Sequence, residues 1–328
     1  MRIGIIGTGK IVEEFLDALN EVDNVECTAI YSRRMETGMT LAKKFRVKQV
    51  YTDYNKLLND EEVNFVYIAS PNSMHYEYAL EALNNDKNVI CEKPFTSTAR
   101  EAKKLIDLAK EKNLFIFEAI TTLHLPNYKK LKEVAKTLRN IKLVQCNFSQ
   151  YSSRYDKLLK GEITNAFNPF FSGGALQDIN IYNLHFVIGL FGKANRVNYL
   201  ANKGENGIDT SGIATLEYDD FLCTCVGAKD SNSSCFAIIQ GENGYIKLNG
   251  ATNQCLSFEM EIDGKHEEYN EQKFSNRMIY EIKEFLELYN NKDFEKSYRL
   301  LEHSLKVVES AVEARMDAGI VFSADSNI

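Results

Sequence analysis

The chain has 328 residues, of which 44% are hydrophobic and 26% charged, with a formal net charge of -7. The length suits one large or two ordinary domains of a globular protein. The negative balance argues against nucleic acid as the main partner, because phosphate binding needs clustered Lys and Arg.

The apolar runs are far too short to span a bilayer. Residue 1 leads straight into a strand-like run with no charged-then-apolar leader, so the expected setting is cytoplasmic, with no membrane partner. Seven cysteines lie scattered at 27, 91, 146, 223, 225, 235 and 255, without a C-x-x-C pair. No His/Cys/carboxylate group shows zinc spacing, so no metal site is expected. Cys223 and Cys225, two apart in a strand-like stretch, share one face and read as packed thiols.

From residue 1 to about 120, short apolar runs alternate with amphipathic stretches. The runs are Arg2–Ile6, Val25–Tyr31, Val63–Ala69, Val89–Cys91 and Phe115–Phe117. The helices between them include Ile11–Leu19, Met39–Phe45, His75–Leu83 and Ala99–Lys110. Thr98, with Glu101 three residues on, reads as a capping box for the last of these. The alternation predicts a parallel, doubly wound sheet.

After Ile141 the rhythm changes to longer strands, such as Leu143–Tyr151, Gly212–Tyr218, Leu222–Gly227, Cys235–Gln240, Gly244–Leu248 and Leu256–Ile262. Asp219-Asp220, Gly241-Glu242-Asn243-Gly244 and Asp263-Gly264 between them read as hairpin turns. Two helices follow, one with Met278, Ile279, Ile282, Phe285, Leu286 and Tyr289 on a face, the other from Tyr298 to Asp317. The fold expected is therefore α/β plus α+β. A Rossmann domain spans residues 1–120, and a domain on a large, mainly antiparallel sheet spans 121–328.

Three segments of the first half carry chemistry. Ile6-Gly7-Thr8-Gly9-Lys10-Ile11 follows a buried strand and opens a helix. Gly7 allows the tight turn, Gly9 admits a pyrophosphate, and the helix N-terminus supplies free N–H groups with a partial positive charge. The third position of G-x-G-x-x-G is Val12, which predicts looser helix–strand packing but leaves the phosphate contacts intact. The complete strand–loop–helix–strand context marks dinucleotide binding.

The second strand ends in Tyr31-Ser32-Arg33-Arg34. An NAD site places Asp or Glu there, about 20 residues beyond the loop. None is present: Glu26 is at the wrong end and Glu36 is too far along. A hydroxyl and two guanidiniums favour a 2′-phosphate, hence NADP over NAD. The alternative is that Arg33 and Arg34 stack on adenine or face water. Finally, Glu92-Lys93-Pro94 ends the strand Asn88–Cys91. Ligands of open α/β sheets bind outside the carboxyl ends of strands, so Lys93 stands where a nicotinamide ring would lie. A surface lysine in a turn is the plain alternative.

Together these motifs resemble the Gfo/Idh/MocA oxidoreductase family, whose members are glucose–fructose oxidoreductase-, inositol dehydrogenase- and dimeric dihydrodiol dehydrogenase-like. The resemblance covers nearly the whole chain. It rests on the N-terminal G-x-G, on Ala69-Ser70-Pro71-Asn72 with His75, on Glu92-Lys93-Pro94, and on Gly173-Gly174-Ala175-Leu176-Gln177-Asp178-Ile179-Asn180-Ile181-Tyr182.

It implies that Ser70, Pro71, Asn72 and His75 run along the nicotinamide half of the cofactor. Glu92 would touch the nicotinamide ribose, and Lys93 would be the active-site lysine. Asp178 and Tyr182 would be the family's Asp and His-or-Tyr pair, one helical turn apart. A phenol with a reference pKa of about 10 becomes a usable base when an ammonium favours the phenolate. Lys93 beside Tyr182 would supply that arrangement, with Asp178 orienting either group. His185 is the spare base. A helix cap for Asp178 and a core aromatic for Tyr182 remain open alternatives.

Relatives with this Tyr pattern carry Trp and Arg before Pro126. This chain has Ile120-Thr121-Thr122-Leu123-His124-Leu125 in that expected substrate wall, and Asn180 where Gly is usual, which would narrow the cleft. The function expected is transfer of a hydride between nicotinamide and a sugar, polyol or related hydroxy/carbonyl compound, in a homodimer or homotetramer. The rivals are a silent cofactor-binding sensor, which the complete Lys93/Asp178/Tyr182 set argues against, and an NAD-retaining glycoside-cleaving enzyme.

Overall fold

The computed structural model describes residues 1–327. The chain forms two compact units, Met1–Thr96 with Arg100–Ala119 and Asn276–Ser304, and Ser97–Ala99 with Ile120–Ser275 and Leu305–Ile328.

The first unit carries a six-stranded parallel sheet of β1 (Arg2–Ile6), β2 (Glu26–Tyr31), β3 (Gln49–Tyr51), β4 (Phe65–Ile68), β5 (Asn88–Glu92) and β6 (Ile116–Ala119), in the order β3-β2-β1-β4-β5-β6. The crossovers carry α1 (Lys10–Leu19), α2 (Met35–Phe45), α3 (Tyr54–Leu58), α4 (His75–Asn84) and α5 (Ala99–Lys112). This is the doubly wound arrangement the sequence predicts. Every residue of β4, β5 and β6 is buried, as expected for strands covered on both faces. The three-residue β3 and the five-residue α3 escape sequence reading because neither is long enough to repeat its period.

The second unit is built on an eight-stranded sheet of β7 (Leu143–Ser149), β8 (Arg196–Lys203), β9 (Asp209–Glu217), β10 (Leu222–Ala228), β11 (Phe236–Gly241), β12 (Gly244–Asn249), β13 (Ser257–Ile262) and β14 (Lys265–Tyr269). Its order is β14-β13-β12-β11-β7-β10-β9-β8, and only the β7/β10 pair is parallel. The three expected turns join β9 to β10, β11 to β12 and β13 to β14. β8 and β14 were not legible in the sequence. One face of the sheet is buried through Val144, Cys146, Cys223, Cys225, Ala214 and Leu216. Cys223 and Cys225 are packed thiols, their sulfurs 3.9 Å apart. On the opposite face Leu200, Ile213 and Val226 are successive cross-strand partners, and Leu143 pairs with Leu222. Helices α6 (Pro126–Ala135), α7 (Ser153–Leu159) and α8 (Ile181–Phe191) complete this unit's middle stretch.

Two helices close the chain, α9 (Met278–Asn290) and α10 (Phe294–Asp317). Residues 276–304 count with the first unit, a return that has no counterpart in a single boundary at residue 120. Aromatic stacking accounts for it. Phe65 and Tyr67 lie on one face of β4 by the two-residue period. Phe15 of α1 stacks on Tyr67 at 3.7 Å, and Tyr289 meets Phe65 edge-on at 5.0 Å. Phe285 stacks on Phe117 at 4.4 Å. Fully burying one such ring is worth about 1.5–3 kcal/mol, and α9 packs against α1 as well as these sheet aromatics.

Candidate active-site residues

In the first unit the chemistry gathers at the carboxyl ends of β1, β4 and β5. Gly7 has φ +113°, and a Cβ there would lie 2.5 Å from the Ala69 carbonyl oxygen, so the turn demands glycine. Gly9 is the N-cap of α1, with no side-chain cap bond and nothing within 4 Å of an added Cβ. The first-turn N–H groups are therefore uncapped by any side chain beside an open cradle, which fits a dinucleotide pyrophosphate. Thr8 is half-buried and Lys10 exposed, the latter 3.7 Å from Glu14; Ile11 is half-buried. Val12 is fully buried and its Cγ2 fills the space beside Gly7.

At the end of β2, Arg33 and Arg34 are exposed, as recognition of a 2′-phosphate requires. Ser32 is different. It is buried, with its hydroxyl 2.9 Å from both the Arg34 carbonyl and the Thr37 hydroxyl, so it shapes the start of α2.

The loops after β4 and β5 are tied together. His75 is buried at the start of α4, with Nδ1 2.9 Å from the Pro94 carbonyl and Nε2 3.1 Å from the Ser70 carbonyl. It thus links the Ser70-Pro71-Asn72 loop to Lys93-Pro94. Burial pushes its pKa below the ordinary histidine value, against the two carbonyl contacts that raise it. Lys93 is half-buried directly beyond β5. Glu92 is buried and accepts a 2.7 Å hydrogen bond from the Tyr67 hydroxyl. Burial raises its pKa, opposed by that hydroxyl and by Lys93.

Beside it stands a residue the motifs do not announce. Glu281 of α9 is fully buried, and neither of its carboxyl oxygens has a hydrogen-bond partner among the described residues. Burial holds its pKa well above the ordinary 4.5, with the Glu92 charge adding to the effect. The folded chain therefore keeps a proton here that the unfolded chain releases above that value, so each rise in pH from there costs folded stability. Glu281→Gln should remove that cost. Its melting temperature should exceed the wild type's by a margin that grows from about pH 5 to about pH 8, and parallel melting curves across that range would refute it.

In the second unit the glycine-rich segment becomes a π-helical turn, Leu176–Asn180, running directly into α8. Such turns cluster at functional sites. The buried carboxylate of Asp209 caps it, accepting from the Leu176 N–H at 2.6 Å and the Tyr199 hydroxyl at 2.8 Å. The capping role left open for Asp178 thus belongs to Asp209. Asp178 instead pairs with Lys229, the residue after β10. Tyr182 is half-buried against Phe148, Ala175, Ile179 and Ala251, its ring 5.9 Å from that of Phe148.

Three expectations are corrected. Asn180 does not narrow a cleft: it is fully buried, its amide bonded to the Cys225 carbonyl at 2.9 Å. Gly227 makes room for it, since a Cβ there would lie 2.5 Å from that of Asn180. His185 is fully buried and so unsuited as a spare base. Thr121 and Thr122 form no open wall; they are buried and donate to the Asn253 and Thr252 carbonyls. Across the β13–β14 hairpin, ligand atoms of Glu259, His266 and Glu268 lie within 4.8 Å of one another, but Lys247 already pairs with Glu259 at 2.8 Å.

A glycine cradle at a helix N-terminus, on a sheet of this order, with an ammonium at the edge of β5, defines a nicotinamide-dinucleotide oxidoreductase. Residues 1–120 match the family model described as "Oxidoreductase family, NAD-binding Rossmann fold". Over 326 residues, 99% of each chain, the sequence is 34% identical to scyllo-inositol 2-dehydrogenase (NADP(+)) of Bacillus subtilis. It is 27% identical to trans-1,2-dihydrobenzene-1,2-diol dehydrogenase of Bos taurus over 348 residues, covering 100% and 99% of the two chains. A 3-ketoreductase from Actinomadura kijaniata, solved with NADP and TDP-benzene, shares the fold at TM-score 0.82 and 21% identity, with 97% of both chains covered. The chain belongs to the Gfo/Idh/MocA oxidoreductase family.

Proposed function

We propose that this protein prefers NADP and moves a hydride between the nicotinamide and a carbinol or carbonyl carbon of a polyol or sugar. The observation that carries the reading is full-length similarity to an NADP-dependent inositol dehydrogenase, supported by a β2 end that offers Arg33 and Arg34 and no carboxylate. Gly7, Thr8, Gly9, Lys10 and Ile11 would hold the pyrophosphate. Ser70, Pro71, Asn72, His75 and Glu92 would line the nicotinamide half. When bound, the nicotinamide accepts or gives the hydride.

The chain's own residues handle the proton. Tyr182 takes the proton from the substrate hydroxyl in oxidation and returns it in reduction. Lys93 favours the phenolate by its charge, and Asp178 accepts a hydrogen bond from the substrate. Incubation with a panel of cyclic polyols, including scyllo-inositol, and of aldoses, read by absorbance of reduced cofactor with NADP and NAD in parallel, tests the reading. Turnover of a polyol or sugar with NADP preferred is expected. Absence of turnover across the panel in both directions would refute it.

Cofactor choice has its own check. Arg33→Ala should weaken NADP binding about tenfold or more, the worth of one charge-assisted hydrogen bond, and leave NAD within about twofold. Equal losses in parallel titrations would show that Arg33 stacks or faces water.

We assign a homodimer or homotetramer. Leu200, Ile213, Leu222 and Leu143 are exposed on the open sheet face, an apolar patch of the kind that marks an interface. Light scattering at the monomer mass would overturn this. All seven cysteines are free, which suits a reducing compartment, and among the described residues no helix is long and apolar enough to cross a membrane. The cytoplasm is the proposed setting.

A further inference from the structure

Lys229 belongs to no motif and is the one buried lysine among the described residues, 7% exposed. Its backbone is fixed on both sides. The N–H donates to the Thr210 carbonyl and the carbonyl accepts from the Ser152 N–H, each at 2.9 Å. Its ammonium pairs with the Asp178 carboxylate and lies 5.8 Å from the centre of the Phe167 ring. The pair is asymmetric: the lysine side chain is 8% exposed and the aspartate 30%. The ammonium lies inward and the carboxylate outward.

Other acids nearby are engaged by other donors. Asp230 accepts from the Thr210 and Ser211 hydroxyls, each at 2.8 Å. Asp209 is taken by the Leu176 N–H and the Tyr199 hydroxyl. Lys229 therefore has Asp178 as its ion partner, and a buried ammonium without one is costly. The π-helical turn carrying Asp178 and the start of α8 are also bolted to β10, just before Lys229, through Asn180 on the Cys225 carbonyl and Asn183 on the Val226 carbonyl, both at 2.9 Å. Carboxylate and ammonium thus belong to one rigid block.

We propose that Lys229 is a positioning residue that keeps Asp178 ionised and aimed outward, so that Asp178 acts as a hydrogen-bond acceptor for a substrate hydroxyl next to the reacting carbon. The proposal rests on the polyol or sugar reading above and narrows it to substrates with a hydroxyl donor beside the reacting centre. An acid so held does not donate the proton of the reaction, which leaves that step to Tyr182.

The test compares Lys229→Met, which keeps the stem and removes the charge, with Lys229→Arg, which keeps the charge. The substrate is whichever polyol or sugar the panel identifies. For Lys229→Met, KM should rise about tenfold or more, the cost of leaving one charged acceptor misplaced, while NADPH affinity stays within about twofold. The acid limb of its kcat/KM profile should move to higher pH, because losing the ammonium raises the pKa of Asp178. The titratable groups on the neighbouring stretches, Asp209 with Tyr199, Asp230 beside Lys229 and Tyr182 on α8, are the same in both variants. Lys229→Arg should restore KM and the limb.

A folded Lys229→Met with unchanged KM and an unchanged acid limb would overturn the proposal. If Lys229→Met does not fold, Lys229→Arg decides, since a purely space-filling role predicts loss of activity with the bulkier guanidinium whatever its charge. If the wild type turns over nothing, the polyol reading fails separately. The pair is then read by carbon NMR titration of the Asp178 carboxyl, assigned with Asp178→Asn. An Asp178 that titrates alike in wild type and Lys229→Met would overturn the proposal on that route as well.

Discussion

Tyr182→Phe is expected to lower turnover by roughly 10²–10⁴-fold, the usual worth of a positioned acid/base, with little change in cofactor affinity. The substitution removes one hydroxyl and keeps the ring that packs against Phe148, so the core around the π-helical turn should survive. On the proposed mechanism, in which the Lys93 ammonium favours the phenolate, Lys93→Met should act similarly. The double variant should then be little worse than either single one, since effects within a unit do not add. In the oxidation direction the wild-type rate should rise with pH as the phenol loses its proton, and that limb should vanish in Tyr182→Phe. The measurement is kcat against pH for the three variants on one verified substrate. Near-full turnover by Tyr182→Phe would remove the phenol from the mechanism and leave Lys93, since His185 is sealed in the core.

Gly9→Asp should abolish cofactor binding without harming the fold. The backbone at Gly9 has φ -82°, open to any residue, and no atom lies within 4 Å of an added Cβ. Aspartate is moreover a favoured N-cap, so the melting temperature should hold or rise. The carboxylate would occupy the first-turn N–H groups and repel the pyrophosphate. Loss of one or two charge-assisted hydrogen bonds already weakens affinity by roughly a hundredfold or more. Gly7 is the contrasting position: any side chain there meets the Ala69 carbonyl at a φ of +113°, so a Gly7 variant would confound folding with binding. A fluorescence titration of NADPH beside a thermal melt checks both. Retained affinity in Gly9→Asp would reduce the loop to a turn.

The first unit was legible because its signals are local. Short apolar runs and helical patterns mark β1, β4, α1 and α5 in the sequence itself, and the G-x-G spacing of Gly7 and Gly9 between β1 and α1 is read there too. Glu92-Lys93-Pro94 is readable for the same reason: it stands at the end of a buried strand, where this class of sheet binds ligands. What the local pattern could not carry was partnership across long separations. The return of α9 to the first sheet depends on Phe285 meeting Phe117 and Tyr289 meeting Phe65, and nothing within the helix names those partners.

The same holds in the second unit. Asn180 looked like an obstruction in a cleft because its neighbours in sequence face substrate in the family. Its burial is decided by the absence of a side chain at Gly227 and by a carbonyl on β10. The Asp178 and Tyr182 residue types were plain in the chain, but which carboxylate caps the turn and which ammonium meets Asp178 were settled by strands more than thirty residues away, at Asp209 and Lys229. Sequence by itself determined the elements, the glycine cradle and the kinds of reactive group, because these follow from propensity and spacing. Tertiary structure alone decided which buried charges and amides face one another, because desolvation makes each of them depend on a partner that folding, and not chain order, brings near.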